Sequence, residues 1–78
     1  MKVRTVVGSL RVRQYNSAAE LARQAGINIL RYKRFESATK YYHLYRDEVL
    51  RIAVLLGVDP SLIADDRGSP KVLVRTKM

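Results

Sequence analysis

The chain has 78 residues, with 15 Lys and Arg against seven Asp and Glu, and a formal net charge of +8. A chain of this length forms one domain, and without cysteine and with a single histidine it offers neither a disulfide framework nor a cysteine- or histidine-rich metal site. No apolar run reaches the ~18 residues that span a bilayer, and the N-terminal stretch lacks the apolar core of a signal peptide, so we expect a cytoplasmic protein without a membrane partner, metal or cofactor.

The basic residues are concentrated in the first part of the chain. Residues 1–46 carry ten basic and two acidic side chains, residues 47–66 carry one and five, and residues 67–78 carry four and none. A surface that only maintains solubility mixes its signs. The distribution therefore predicts a polyanionic partner for the N-terminal half.

The first predicted helix covers about residues 3–14. Val6, Val7 and Leu10 share one face of such a helix. Residues 2–7 also alternate like a short strand, so a β segment at this end of the chain remains open.

Two short helices joined by a tight turn are predicted next. Ser17-Ala-Ala-Glu20 has the form of a capping box, in which each side chain accepts a hydrogen bond from the other residue's amide. The second helix therefore begins here and ends at about Ala25, before Gly26. Asn28 is a good N-cap for a third helix from about Ile29 to Ser37.

The second half of the chain predicts two further helices. One covers about Leu44 to Leu56 and ends at Gly57, and Asp59-Pro60 caps a short one that ends at about Ala64. Between the third and fourth helices, the cluster of Tyr41, Tyr42, His43 and Tyr45 fits either core filling or a loop that contacts a partner.

The end of the chain is less regular. Residues 65–70 indicate a linker, and residues 71–76 fit a strand, an arm or a tail. The predicted fold class is therefore an all-α, compact five-helix domain over residues 1–64. A basic C-terminal tail or dimerisation arm follows over residues 65–78, and short β segments remain open at both termini.

The second and third helices fit a DNA-binding helix-turn-helix, although an ordinary αα-hairpin uses the same glycine and alanine. Leu21-Ala-Arg-Gln-Ala-Gly-Ile27, Tyr32-Lys-Arg-Phe-Glu36 and Ala53-Val-Leu-Leu-Gly-Val58 follow one another in order and at characteristic spacing. In these elements the chain resembles the lambda-repressor-like (Cro/C1-type, Xre) family from about Val7 to Ala64. The resemblance implies a five-helix DNA-binding domain and a structural ion pair between Arg11 and Glu36. Tyr32, where the family has an aliphatic residue, and Ala18, where many members have glutamine, depart from its pattern.

The third helix has a predicted reading face. At about 100° per residue, Tyr32 and Phe35 define its buried side, which leaves Leu30, Lys33 and Arg34 opposite. The resemblance likewise implies base reading at positions 28–30 and 33–34. The base-reading residues are expected to be Asn28, Ile29, Leu30, Lys33 and Arg34, with Lys33 or Arg34 donating to guanine and Ile29 and Leu30 packing on thymine methyl groups.

Phosphate contacts are expected beside this face, where they position the protein without reading sequence. They are assigned to Ser17, Arg23, Arg31, Ser37 and Lys40, together with the amide ends of the second and fourth helices. Ser17 and Asn28 also serve as helix caps.

Together these features predict a transcriptional regulator that binds double-stranded DNA. A phage- or prophage-type repressor or Cro-like protein, acting as a homodimer on a pseudo-palindromic operator, fits best. One alternative is an antitoxin that binds a partner protein, such as a toxin, through residues 65–78 and autoregulates through DNA; another is RNA binding driven by the same charge. Residues 71–76, the fifth helix and the Tyr41–Tyr45 segment remain open as dimer surfaces. His43, Ser37 and Asp47 do not make a catalytic triad by sequence proximity, so neither an enzyme nor a small-molecule substrate is expected.

Overall fold

The computed structural model describes residues 5–38 and 43–73, and within these ranges the chain forms five helices and no sheet. The helices are α1 (Val6–Gln14), α2 (Ala18–Ala25), α3 (Ile29–Glu36), α4 (Arg46–Leu56) and α5 (Pro60–Ile63). The predicted five-helix, all-α domain is confirmed at this level. None of these helices is long and apolar enough to cross a membrane. Lys40, Tyr41 and Tyr42, residues 2–4 and residues 74–76, on which parts of the predictions fall, lie outside the described residues.

Helix α1 begins at Val6, later than the predicted start at about residue 3, because Thr5 is its cap. Thr5 has extended backbone, is fully buried, and its hydroxyl oxygen accepts a hydrogen bond of 3.1 Å from the Gly8 amide. The same hydroxyl donates to the Glu36 carbonyl at 2.6 Å. The Val6 amide is bonded to the Lys71 carbonyl at 2.9 Å, so the start of α1 is fixed by two distant parts of the chain.

The turn between α2 and α3 follows the predicted chemistry. The hydroxyl of Ser17 accepts from the Glu20 amide at 3.1 Å, which is the first of the two bonds of the predicted capping box. Gly26 ends α2 in the left-handed region, at φ 71°, where a side chain is unfavourable. The side-chain oxygen of Asn28 then accepts from the Arg31 amide at 3.0 Å and caps α3.

Two other helix boundaries differ from the sequence-based expectation. Helix α4 begins at Arg46 rather than at about Leu44, because Tyr45 is its cap, with extended backbone and an amide that donates to the Glu48 carboxylate at 2.9 Å. The Leu44 amide donates to the Gly68 carbonyl at 3.0 Å. Helix α5 ends at Ile63, since Ala64 is extended and forms an isolated β-bridge with Pro70.

The core lies between α2, α3, α4, α5 and the start of α1. Helix α3 packs most closely against α2, and α4 packs against α2, α5 and, less closely, α1. The rings of Tyr32 and Phe35 are both fully buried, with centroids 6.2 Å apart. The largest fully buried side chains are Tyr32, Phe35, Leu21, Ile52, Ile63, Val7 and Thr5.

The segment 65–73 returns to the helical domain in a hydrogen-bonded turn. One carboxylate oxygen of Asp65 accepts from the amides of Arg67 at 2.9 Å and Ser69 at 3.0 Å. Beyond the turn, the Lys71 amide donates to the Ile63 carbonyl at 2.9 Å, and Thr5 forms an isolated β-bridge with Val72. Lys71 and Val72 therefore lie against the start of α1, and residues 65–72 do not extend away from the domain.

Replacement of Gly68 by alanine is expected to destabilise the domain more than the same change at Gly57. Both glycines have positive φ, 86° and 73°, and a side chain at such an angle costs about 1–2 kcal/mol. A Cβ at Gly57 would meet no atom within 4 Å, whereas one at Gly68 would lie 2.1 Å from the Leu44 carbonyl oxygen. Overpacking of this kind adds about 1–3 kcal/mol. Urea unfolding of Gly68→Ala and Gly57→Ala measures the difference, and equal losses of stability would contradict the close approach.

Candidate nucleic-acid interface

The outer face of α3 lies opposite its buried aromatic side. Leu30 is 56% exposed and Ile29 is 36% exposed. Asn28 and Lys33 are exposed as well, and Arg34 is partly buried. All five predicted base-reading residues thus lie along α3 or at its cap, away from the core side chains Tyr32 and Phe35.

Asn28 and Ser37 bound this face, and each hydrogen-bonds locally. Asn28 uses its side-chain oxygen as the α3 cap, and the amide hydrogens of its side chain are donors of the kind that read adenine. The Ser37 hydroxyl lies 3.0 Å from the Lys33 carbonyl and 3.3 Å from that of Arg34. Its hydrogen is therefore used within α3, which makes Ser37 a poor donor to phosphate.

Helix α2 supplies two of the predicted phosphate contacts. Ser17 accepts a hydrogen bond at the N-terminus of α2, and its hydroxyl hydrogen can donate to another acceptor. Arg23 is exposed and makes no ion pair with the rest of the described chain. Lys40, also predicted to bind phosphate, lies in the undescribed segment 39–42.

The N-terminus of α4 does not suit the phosphate contact expected there. Asp47 and Glu48 occupy its first turn, and the Glu48 carboxylate accepts a hydrogen bond of 2.9 Å from the Tyr45 amide. A helix N-terminus attracts anions through its free amides and its dipole. Here the carboxylates of Asp47 and Glu48 already place negative charge at the α4 N-terminus, and they would repel a phosphate.

Arg11 and Glu36, the predicted ion pair, meet in a two-point contact. The Arg11 Nε lies 3.1 Å from one carboxylate oxygen and a terminal nitrogen lies 2.5 Å from the other. The side chains are only 11% and 15% exposed. The contact links α1 to the C-terminal end of α3.

The hydroxyl of Tyr32 is buried beside this pair. It makes no hydrogen bond of good geometry within the described ranges. Burial raises the pKa of Tyr32, and the nearby Glu36 charge acts in the same direction. The phenol is therefore neutral, and its ring packs beside that of Phe35.

A second two-point ion pair, which the sequence analysis missed, joins α3 to α4. Two nitrogens of Arg31 each lie 2.8 Å from an oxygen of Glu48, and the guanidinium carbon is 5.0 Å from the centre of the Tyr45 ring. Arg31 was expected to contact phosphate. Its hydrogen-bonding groups are instead directed to a carboxylate of the same chain. The only sequence signal for this pair was Glu48, three residues after the α4 cap Tyr45. An acid at that position does not indicate which distant residue it pairs with.

The ion pairs distinguish basic side chains that are neutralised within the domain from those that are not. Arg11, Arg31 and Arg51 each pair with an acid, the last with Asp47 at 3.0 Å. Arg23 and Lys33, one on α2 and one on α3, are exposed without such a partner in the described ranges. The α2–α3 surface, formed by the outer faces of these two helices, therefore keeps positive charge.

Comparisons of the chain with protein-family models, with curated proteins and with solved structures found no match. Residues 5–38 and 43–73 contain no cluster of side chains that could hold a metal ion.

Glu48 should make the stability of the domain depend on pH in the acid range. Its hydrogen bonds with Arg31, and then with the Tyr45 amide, lower the pKa of the Glu48 carboxyl against the opposing effect of burial. A carboxyl whose pKa is lowered by folding stabilises the fold above its unfolded pKa, about 4.3. This contribution is lost as the pH falls through the lower, folded pKa.

Urea unfolding between neutral pH and about pH 3 tests this expectation. Glu48→Gln should be less stable than the parent at neutral pH and should lose less stability on acidification. Asp66→Asn is the control, because it removes an exposed carboxylate that makes no hydrogen bond in the described ranges. Parallel pH profiles for the parent and Glu48→Gln would show that the ion pair contributes nothing to the fold.

Proposed function

We propose that this protein binds double-stranded DNA sequence-specifically through the α2–α3 surface and regulates transcription as a lambda-repressor-like (Cro/C1-type) protein. The observation that carries the proposal is the outer face of α3, which presents cationic and apolar side chains opposite a fully buried aromatic side. The helix-turn-helix motif uses the second of two helices in this way. Helix α3 is therefore the helix that we place in the major groove.

The chemistry of this face suits the edges of base pairs. The major groove is about 12 Å wide and admits one α-helix. Lys33 and Arg34 can donate to the O6 and N7 acceptors of guanine, and Ile29 and Leu30 can cover thymine methyl groups. Leu30 is exposed to water beside two cations, where its apolar surface is not buried. A groove that offers both hydrogen-bond acceptors and methyl groups would bind the cations and bury the leucine.

The neighbouring helix supplies the contacts that do not read sequence. Ser17 and the free amides at the start of α2 can donate to phosphate oxygens, and Arg23 lies exposed further along the same helix. Each neutralised phosphate releases counterions, so binding should weaken as salt rises. The proposal leaves Arg31, whose guanidinium pairs with Glu48, and the α4 N-terminus out of this phosphate-binding group.

The proposal includes a homodimer on a site with two-fold symmetry, acting mainly as a repressor. One reading helix contacts few base pairs, and a second copy doubles the length of sequence read. A complex of two chains with one duplex is therefore expected.

Arg34 and Arg23 should differ in what their removal does. Selection from a random duplex library should give a preferred site for the parent. Arg34→Ala should then reduce the ratio of its affinities for that site and for random DNA, because a base contact is worth about 1–3 kcal/mol of discrimination. Arg23→Ala should weaken both alike and reduce the salt slope by about one.

Titrations of labelled duplexes at several salt concentrations measure both quantities, and sedimentation gives the number of chains per duplex. A structured RNA at about 150 mM salt serves as competitor, since charge alone binds weakly there. Absence of any enriched duplex, or equal affinity for the RNA, would reject the proposed function.

Leu30 should detect thymine methyl groups in the preferred site. Replacing each thymine of the site in turn by uracil removes only the methyl group, so at least one such change should weaken binding of the parent. The effect is expected to be about threefold to fivefold, from the burial of one methyl group. At the thymine that Leu30 covers, Leu30→Ala should bind the thymine and uracil duplexes equally, while a thymine covered by Ile29 keeps its effect; Val12→Ala, at an exposed apolar position on α1, is the matched control. A uracil effect that survives in Leu30→Ala would assign the methyl contact to another residue.

A further inference from the structure

Helix α3 packs closely against only one of its neighbouring helices. Its close backbone packing is with α2, whereas α1 and α4 approach it much less closely. Its polar side-chain links to these two helices run through two Arg–Glu pairs, Arg11–Glu36 near its end and Arg31–Glu48 near its start. Of the outer residues, Lys33 lies between these two points along α3 and Leu30 lies directly before Arg31.

The Arg31–Glu48 pair is already complete without a ligand. Both carboxylate oxygens of Glu48 are engaged by Arg31, and one of them also accepts from the Tyr45 amide. Glu48 is only 7% exposed. The Arg31 guanidinium carbon also lies over the Tyr45 ring, so one face of that group is covered by carbon.

A phosphate would meet unfavourable conditions at Arg31. It would have to replace a two-point carboxylate contact of the strong, charge-assisted kind, and it would leave the buried charge of Glu48 without its partner. If it bound without replacing Glu48, it would lie close to that carboxylate and be repelled. Arg31 is thus poorly placed to contribute a counterion-releasing contact.

We propose that Arg31 and Glu48 are positioning residues for DNA recognition, which fix the orientation of α3 on the N-terminus of α4 and do not themselves contact DNA. This inference rests on the proposed function. Hydrogen bonds to base edges require the reading side chains to be held within about 0.5 Å and 10–20° of the productive geometry. A helix anchored to α1 and α2 but released from α4 can rotate enough to lose base contacts while phosphates on α2 stay bound.

Arg31→Lys is the decisive variant because it keeps the charge. Lysine cannot form the planar two-point contact with a carboxylate, yet it binds phosphate well as a point charge. A positioning role therefore predicts a loss of about tenfold in the ratio of affinities for the preferred site and random duplex. The affinity for random duplex and its salt slope should stay unchanged. Arg13→Lys is the matched control at an exposed arginine of α1 outside the α2–α3 surface, and it should change neither quantity.

Glu48→Gln tests the same pair from the other side. A positioning role predicts that it, too, lowers the affinity ratio, and that the double variant Arg31→Lys/Glu48→Gln is no worse than the poorer single variant. If Glu48 only withholds Arg31 from phosphate, Glu48→Gln should strengthen binding to both duplexes by the same factor and raise the salt slope. Thermal unfolding of each variant, with titrations well below its midpoint, confirms that folded protein is compared.

The outcomes separate this inference from the proposed function. A parent protein with no preferred duplex rejects the proposed function and the inference with it. A parent with a preferred site whose affinity ratio survives both Arg31→Lys and Glu48→Gln rejects the inference alone. A reduced salt slope in Arg31→Met with an unchanged ratio would likewise overturn it, because that result identifies a phosphate contact.

Discussion

The contact between Arg11 and Glu36 joins two helices, α1 and α3, that are distant in sequence. It lies where α1 meets the end of α3, and the Glu36 carbonyl also accepts from Thr5, the cap of α1. Breaking such a largely buried pair costs about 3–5 kcal/mol, although replacing both partners by apolar residues is often neutral. The pair therefore contributes a link between α1 and the end of α3 rather than a large net stability. The rings of Tyr32 and Phe35 are fully buried on the same helix.

The acidic residues of the chain are used mainly in contacts within the domain. Glu36 and Glu48, which are largely buried, pair with arginines, while the exposed Asp59 accepts from the Ser61 amide at the start of α5 and the exposed Asp65 organises the turn after it. These contacts engage carboxylates without cancelling the charge of the exposed basic side chains. A small basic domain can thus hold many ionic links and still present a positive face, which is the property that a polyanion partner requires.

Local features of the fold followed from the sequence because they depend on residues within one turn of each other. The caps at Ser17 and Asn28, the left-handed Gly26 and the buried stripe of Tyr32 and Phe35 are of this kind. The Arg31–Glu48 pair was missed, since its partners are 17 positions apart and the intervening stretch has no periodic pattern. The return of residues 65–72 was missed for another reason: beyond the local turn at Asp65, its bonds to the rest of the domain join backbone groups, and side-chain identity does not predict which carbonyl a given amide will find.

The two Arg–Glu pairs are arranged in opposite directions relative to α3, and this bears on the proposed recognition of DNA. Near its start α3 contributes the arginine, and at its end it contributes the glutamate. A cation at the start of a helix and an anion at its end both oppose the helix dipole, so each is unfavourable unless paired. Pairing with Glu48 and Arg11 offsets this unfavourable interaction with the helix dipole. Both pairs form only when α3 lies at one position and angle. The same charges that would weaken an isolated α3 therefore select a single orientation for its outer face, and a helix that reads base edges needs that property more than it needs intrinsic stability.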